Sequence, residues 1–316
     1  MKNSNSIIVL LGLIMLLLLS SCDKNNTHKN KKDLEKIELN HIAVNAADNN
    51  IEDVDISKKV ENEISKNKQI ELYEVKQKKY NQKELNIILK KCFDDKIIKA
   101  ELDNDMDIYL LENGGSLTYY KNSGGICYSK TLDGDYDSSS EIIDDNKLIG
   151  ISKAFIEKSE LFELNDLLLD YVRPSMYVED DKAKKIERYE VNYQKKPPKG
   201  IDGYVGNQPG ISVEIDCYGE VIGFMAFDRT VKKTSVSYPY KRVKDIEKDI
   251  VEDRNVMLDF EGNPNNATFS QLKYVLYCDS VLENQKYIVP HYEMIDVKNN
   301  IIAVLPAIDN DYIKIK

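Results

Sequence analysis

What most limits how this chain can fold is a recurrence: an amphipathic helical face followed by strand segments, three times over. The first round comes after the strand-like "QIELYEV". Asn81 stands three residues before Glu84, a capping-box spacing that satisfies the free backbone donors at a helix start. Leu85, Ile88, Leu89, Cys92 and Phe93 then fall at i, i+3, i+4, i+7 and i+8, one apolar helical face. "DIYLLENGGSLTYY" and "GICYSKTL" follow as strands parted by Gly- and Asn-containing turns. The second round opens at "DDNKLIGISKAFIEKSELF", with Leu148, Ile151, Ala154, Phe155, Leu161 and Phe162 as a looser face. "LLLDYVRPSMYVE" and "KIERYEVNYQ" read as a hairpin, and "GISVEIDCYGEVIGFMAF" as another, with Ile211, Val213, Ile215 and Cys217 alternating before Gly219 turns the chain. The third has Pro239 near a helix start, then Val243, Ile246 and Ile250 on one face. "LKYVLYCDSV", "QKYIVPHYEMI" and "NNIIAVLPAI" complete it as strands.

A helix segregated from the antiparallel strands it precedes is an α+β pattern rather than strict βαβ alternation. The expected fold is α+β, in tandem units over residues 36–140, 141–235 and 236–316, each with an amphipathic helix packed on a curled antiparallel sheet. Ahead of the first helix, "IELNHIAVNA" alternates like an edge strand, while "DNNIEDVDISKKVENEISKNK" is too polar to assign.

The N-terminal stretch carries an address. Lys2 supplies a short positive region, Ile7 to Leu19 thirteen apolar residues, and Ser20 and Ser21 the small side chains a signal peptidase closes over. Spanning a bilayer takes roughly 20 apolar residues, which leaves this run short for an uncleaved helix. Leu19-Ser20-Ser21-Cys22 resembles a bacterial lipobox. The resemblance implies that residues 1–21 are a lipoprotein signal peptide and that the sulfur of Cys22 receives a diacylglyceryl group. Two acyl chains hold where one does not, at about 0.8 kcal/mol per buried methylene. An uncleaved span and an ordinary secreted protein are the competing readings. Residues 22–35 follow as a polar tether, in which Lys24, Lys29, Lys31 and Lys32, with Lys36 just beyond, are drawn to anionic headgroups or merely keep the tether solvated. The expected place is the extracytoplasmic face of the cell membrane.

The formal charge is −10, and losing residues 1–21 removes one lysine and no acid, so it becomes −10 − 1 = −11. An acidic body lacks the clustered Lys and Arg that displace counterions from nucleic acid. Cys92, Cys127, Cys217 and Cys278 are too far apart for a CxxC motif. Each sits in an apolar segment, where a free thiol behaves as a small hydrophobe; two disulfides in any of three connectivities are the other reading.

The "ISVEIDCYGEVIGF" hairpin, the proline-led helix and the close "LKYVLYCDSVLENQKYIVPHYEMI…IIAVLPAI" resemble the tandem repeats of PepSY-like domains. They look most like the extracytoplasmic regulators YycH and YycI of a cell-wall sensor kinase in Gram-positive bacteria, and like clostridial lipoproteins built the same way. The likeness covers about the last two-thirds of the chain, in pattern more than in diagnostic residues. It implies cystatin-like helix-on-sheet units that bind or regulate a protein partner at the cell surface. The chain departs from YycH and YycI in its anchor, a lipid where they carry a membrane helix.

Residues with chemistry to offer are few. His28 lies in the tether and His41 near the first strand; His291 and Glu293 project from one strand face. A catalytic zinc wants three protein ligands, so these two are read as structural, and a thiol–imidazole pair with Cys278 needs a proximity that spacing cannot supply. "DNDMD" (Asp103, Asp105, Asp107) and "DGDYD" (Asp133, Asp135, Asp137) alternate carboxylates as calcium favours, yet Ile108 and Ser138 stand where an EF-hand loop has Gly. Asp144 falls where the second would need glutamate, and both read as solvated acidic turns. "GIDGYVGNQPG" (Gly200, Gly203, Gly206, Gly210) precedes a strand rather than a helix, which excludes a phosphate cradle and leaves a loop suited to recognition. Tyr119, Tyr120, Tyr128, Tyr274, Tyr277, Tyr287 and Tyr292 fall on strands, where half-buried sheet faces explain them, with an aromatic contact surface as the alternative. No catalytic residue, metal site or cofactor is assigned. The reading is a lipid-anchored, non-enzymatic binding or regulatory module, with a small-ligand receptor lipoprotein as the alternative.

Overall fold

Head-to-head meanders dominate the architecture. The computed structural model describes residues 34–40, 51–130, 142–179, 182–261 and 264–315. The signal-peptide and lipobox residues with Cys22, the tether lysines up to Lys32, His28, His41 and the "DGDYD" turn lie outside them. In chain order the elements are β1 (Ile37–Leu39), β2 (Asp53–Ile56), α1 (Lys58–Lys66), β3 (Gln69–Gln77), α2 (Gln82–Phe93), β4 (Ile97–Leu102), β5 (Met106–Leu111), β6 (Ser116–Tyr120) and β7 (Gly125–Ser129). Next come α3 (Asp145–Ser159), β8 (Leu167–Glu179), β9 (Lys182–Lys195), β10 (Gly203–Gly206), β11 (Gly210–Asp216), β12 (Val221–Phe227) and β13 (Arg229–Pro239). The last are α4 (Val243–Val251), β14 (Met257–Asp259), β15 (Asn266–Phe269), β16 (Gln271–Cys278), β17 (Tyr287–Ile288), β18 (Pro290–Asp296), β19 (Ile301–Pro306) and β20 (Ile313–Ile315). The fold is α+β, as expected.

An eight-stranded, half-barrel sheet runs β4-β5-β6-β7-β12-β11-β9-β8. Each half is one helix followed by four antiparallel strands, and the halves meet last strand to last strand through Ser129↔Gly223 to Ile126↔Ala226. This sheet draws strands from both sides of residue 140, so the first two helix-led segments share one core. Helix α2 starts where the sequence puts it. The Glu84 N–H donates to Asn81 Oδ1 at 3.1 Å and the Asn81 N–H to Glu84 Oε2 at 2.8 Å, the reciprocal capping box. Its Leu85, Ile88 and Leu89 are buried, with Cys92 and Phe93 half-buried against the same core. Phe93 stacks on Tyr128 at 3.8 Å, and Phe155 and Phe224 close the cluster 5.5 Å apart.

Helix α3 departs from its expected face. Ala154 is exposed, Ile156 is buried, and Leu161 and Phe162 are buried beyond the helix end. The cause is Glu160 in the left-handed conformation (φ 55°), which stops the helix and folds those two apolar residues back into the core. Its N-terminus is capped by Asp144, whose carboxylate accepts from the Asn146 N–H at 2.9 Å.

The remaining strands form a second body. Five of them run β10-β16-β18-β19-β14, three run β13-β3-β17, and β15–β2 and β1–β20 are two-stranded pairs among the described residues. Here the all-antiparallel expectation fails: β10–β16, β15–β2 and β1–β20 are parallel. Each joins segments far apart in sequence, which a pattern of local meanders does not reveal. Pro239 ends β13, and α4 begins four residues later. Asp228, where β12 bends into β13, is one of the joints between the two bodies within a single compact unit, Ile37–Lys316. Its carboxylate takes the Lys195 ammonium at 2.6 Å, and its carbonyl the Lys78 N–H at 2.9 Å.

Candidate functional site

A deeply buried pair of opposite charges lies at helix α4. Ile246, Asp249 and Ile250 form its buried face, so a carboxylate is carried into the interior at i+3 and needs a partner there. Lys241 supplies it. The Lys241 N–H donates to the Ala307 carbonyl (2.8 Å) and the Asp309 N–H to the Pro239 carbonyl (2.9 Å), aligning residues 239–241 with the segment after β19. The Lys241 ammonium then reaches Asp249 Oδ2 at 2.6 Å, and the two side chains are only 1% and 3% exposed. Asn310, in a one-turn 3₁₀ segment capped by Asp309, donates Nδ2 to Asp249 Oδ1 and Oδ2 at 3.1 and 3.0 Å. Burial pulls the lysine below its ordinary proton affinity, against the neighbouring Asp249 charge.

After α4 the chain reverses through Asp253 (φ 51°) and Asn255 (φ 53°), and the Arg254 N–H donates to the Asp249 carbonyl at 2.8 Å. This brings Arg254 and Asn255 to a cavity of about 210 Å³ that Lys241, Asp249, Asn310 and Ile313 also line. Asn255 borders a second, much smaller cavity as well, where His291 and Tyr277 meet Asn40.

His291 is buried, its Nδ1 2.9 Å from the Val289 carbonyl and its ring 5.4 Å from Tyr277. Burial pushes its pKa down to about 3, with Lys241 adding repulsion and the Val289 carbonyl opposing. A histidine held neutral in the fold but free to protonate when unfolded makes the unfolded chain bind more protons between pH 3 and 6.5, so stability is lost as pH drops through that window. The expected loss from this residue is about 1.4 kcal/mol per pH unit below 6.5. Urea unfolding at pH 7 and pH 5 checks it: His291→Gln must flatten the slope, and equal slopes would refute the assignment.

Glu293 shares the strand face as expected, but turns to Lys273 at 2.7 Å. Cys278 is not brought to His291. Val275 is the cross-strand partner of His291, and Cys278, three residues on, points to the opposite face. No group of three His, Cys, Asp or Glu suited to a metal occurs among the described residues. In "DNDMD" the place of a cation is taken by Lys121, whose ammonium pairs with Asp107 at 2.7 Å and donates to the Asp103 carbonyl, while Asn122 Nδ2 holds Asp105 at 3.1 Å.

The glycine-rich loop is clasped onto β16. It contributes β10, and the Asp202 N–H donates to the Tyr274 carbonyl at 2.7 Å while the Tyr274 N–H donates to Asp202 Oδ2 at 2.8 Å. Gly206 (φ 84°) sits where a Cβ would come 2.3 Å from the Cys278 carbonyl oxygen, so it serves close backbone approach. Of the tyrosines, Tyr119, Tyr128 and Tyr292 are buried, Tyr120, Tyr274 and Tyr277 half-buried, and Tyr287 is exposed. All four body cysteines are free thiols, and burial raises Cys92 to about 11 and Cys278 to about 12.

Sequence reasoning passed over Lys241, Asp249, Arg254 and Asn310. The signal was present in Asp249, an acid on the apolar face set by Ile246 and Ile250. A scan against known protein families matches none of them, and a search of curated proteins gives no match.

Proposed function

We propose that this chain is a lipoprotein anchored through Cys22 at the extracytoplasmic face of the cell membrane, where tandem PepSY-like units form a non-enzymatic binding or regulatory module for a protein partner. The observation that carries it is Leu19-Ser20-Ser21-Cys22 closing an apolar run of thirteen residues. The paired helix-plus-meander halves support the tandem part, since each lays one helix on four antiparallel strands. The fifteen residues from Cys22 to Lys36 reach at most about 50 Å when extended, enough to hold the body near headgroups without embedding it. The net charge of −10 favours protein over nucleic-acid partners. His291, kept neutral and turned away from Cys278, supports the non-enzymatic reading. The second reading, a small-ligand receptor lipoprotein, is favoured by the cavity beside Lys241.

Cys22→Ser tests the anchor. The wild-type chain is expected to take up labelled palmitate and to sediment with membranes, and the variant to do neither. Equal membrane recovery with no label in either chain would overturn the proposal. Cross-linking in the native membrane tests the partner: one recurrent protein supports the module, and a co-purifying small molecule in its place supports the receptor.

A further inference from the structure

The cavity beside Lys241 is lined by two cationic side chains, Lys241 and Arg254. Asp249 is engaged on both oxygens, its Oδ2 accepting from Lys241 and Asn310 and its Oδ1 from Asn310. An ammonium carries three donors and a guanidinium five. Lys241 spends one donor of its ammonium on Asp249, and Arg254 spends its Nε on Glu252 at 2.6 Å. Lys241 and Arg254 line the same cavity, with Ile313 and Ile315 as an apolar side. What would complete such a site is a group rich in acceptors. The volume of about 210 Å³ is well above the ~30 Å³ share of one water and below the ~300–1,000 Å³ of pockets for drug-sized ligands. Asp245 and Asp309 lie near enough to act on Lys241, so selectivity would come from hydrogen bonding more than from net charge.

We propose that this cavity binds a small oxyanion of the carboxylate or phosphate class, held by the Lys241 ammonium and the Arg254 guanidinium, with Ile313 and Ile315 against its apolar part. Charge-assisted bonds of this kind are the strong ones, and the guanidinium fork matches two oxygens at once. The site does not depend on how the chain is anchored.

The test titrates the full chain, in mild detergent at an ionic strength held with sodium chloride, with acetate and with inorganic phosphate by calorimetry. Saturable one-site binding of either is expected; acetate alone points to a carboxylate solute, and phosphate alone to a phosphorylated one. Arg254→Gln alters an exposed side chain and is expected to weaken binding about tenfold, the loss of one charged hydrogen bond. The double variant Lys241→Met/Asp249→Leu removes the buried charges together and is expected to abolish binding while unfolding stays cooperative. Heats no larger than those of the chloride control, or binding unchanged in Arg254→Gln and the double variant, would overturn the proposal.

Discussion

Asp249→Ala is expected to destabilise the protein by about 3–5 kcal/mol, the range for removing one partner of a buried ion pair. The reason lies in what stays behind. The Lys241 side chain is 1% exposed, and without Asp249 its ammonium is a buried charge that has lost the carboxylate in contact with it. Asn310 loses both of its acceptors in the same step. Removing both charges should cost far less, because well-packed apolar replacements of a buried pair are often neutral or stabilising. Urea unfolding at pH 7 should therefore rank the single variant well below Lys241→Met/Asp249→Leu. A single variant within about 1 kcal/mol of the parent would mean the pair is far better solvated than its burial implies.

Phe224→Ala is the second large loss, expected at about 3–5 kcal/mol for a buried aromatic cut to alanine. Phe224 is 1% exposed and lies within 6.1 Å, centroid to centroid, of the rings of Phe93, Tyr128 and Phe155. Its removal leaves a void where both helices meet the sheet, and forfeits ring contacts worth about 0.5–1.5 kcal/mol each beyond burial. Ile98→Ala, on an edge strand and 62% exposed, should change stability by under about 0.5 kcal/mol. Similar losses in the two variants would displace the aromatic cluster from the centre of the core.

Much of the eight-stranded body was legible because its information is local. The capping box and five-residue apolar face of α2, and the alternation of Ile211, Val213 and Ile215, each lie within a dozen residues. Helix α1 was not legible: its nine residues bury only Val60 and Ile64, too few to stand out in a polar stretch. Strand β10 was hidden for another reason. Its Gly203–Gly206 segment becomes a strand only by pairing with Val275–Cys278, a partner about seventy residues away. The cavity failed to show for the same cause, since Lys241, Asp249 and Asn310 converge through contacts between the start of α4 and the segment after β19.

The strand partners also impose an order of assembly. All eight strands of the large sheet fall between Ile97 and Phe227, so that sheet can close as soon as this stretch exists. The second body cannot. β2 waits for β15, β3 for β13 and β17, and β1 for β20, where Glu38 meets Lys314 across 276 residues. Closing so long a loop costs little more than closing one half its size, about 0.6 kcal/mol per doubling, but β1 has no β20 to close onto until Ile313–Ile315 are made. The first strand among the described residues is thus held by one of the strands most distant in sequence, and a product cut short before Ile313 leaves β1 without β20 whatever else has folded.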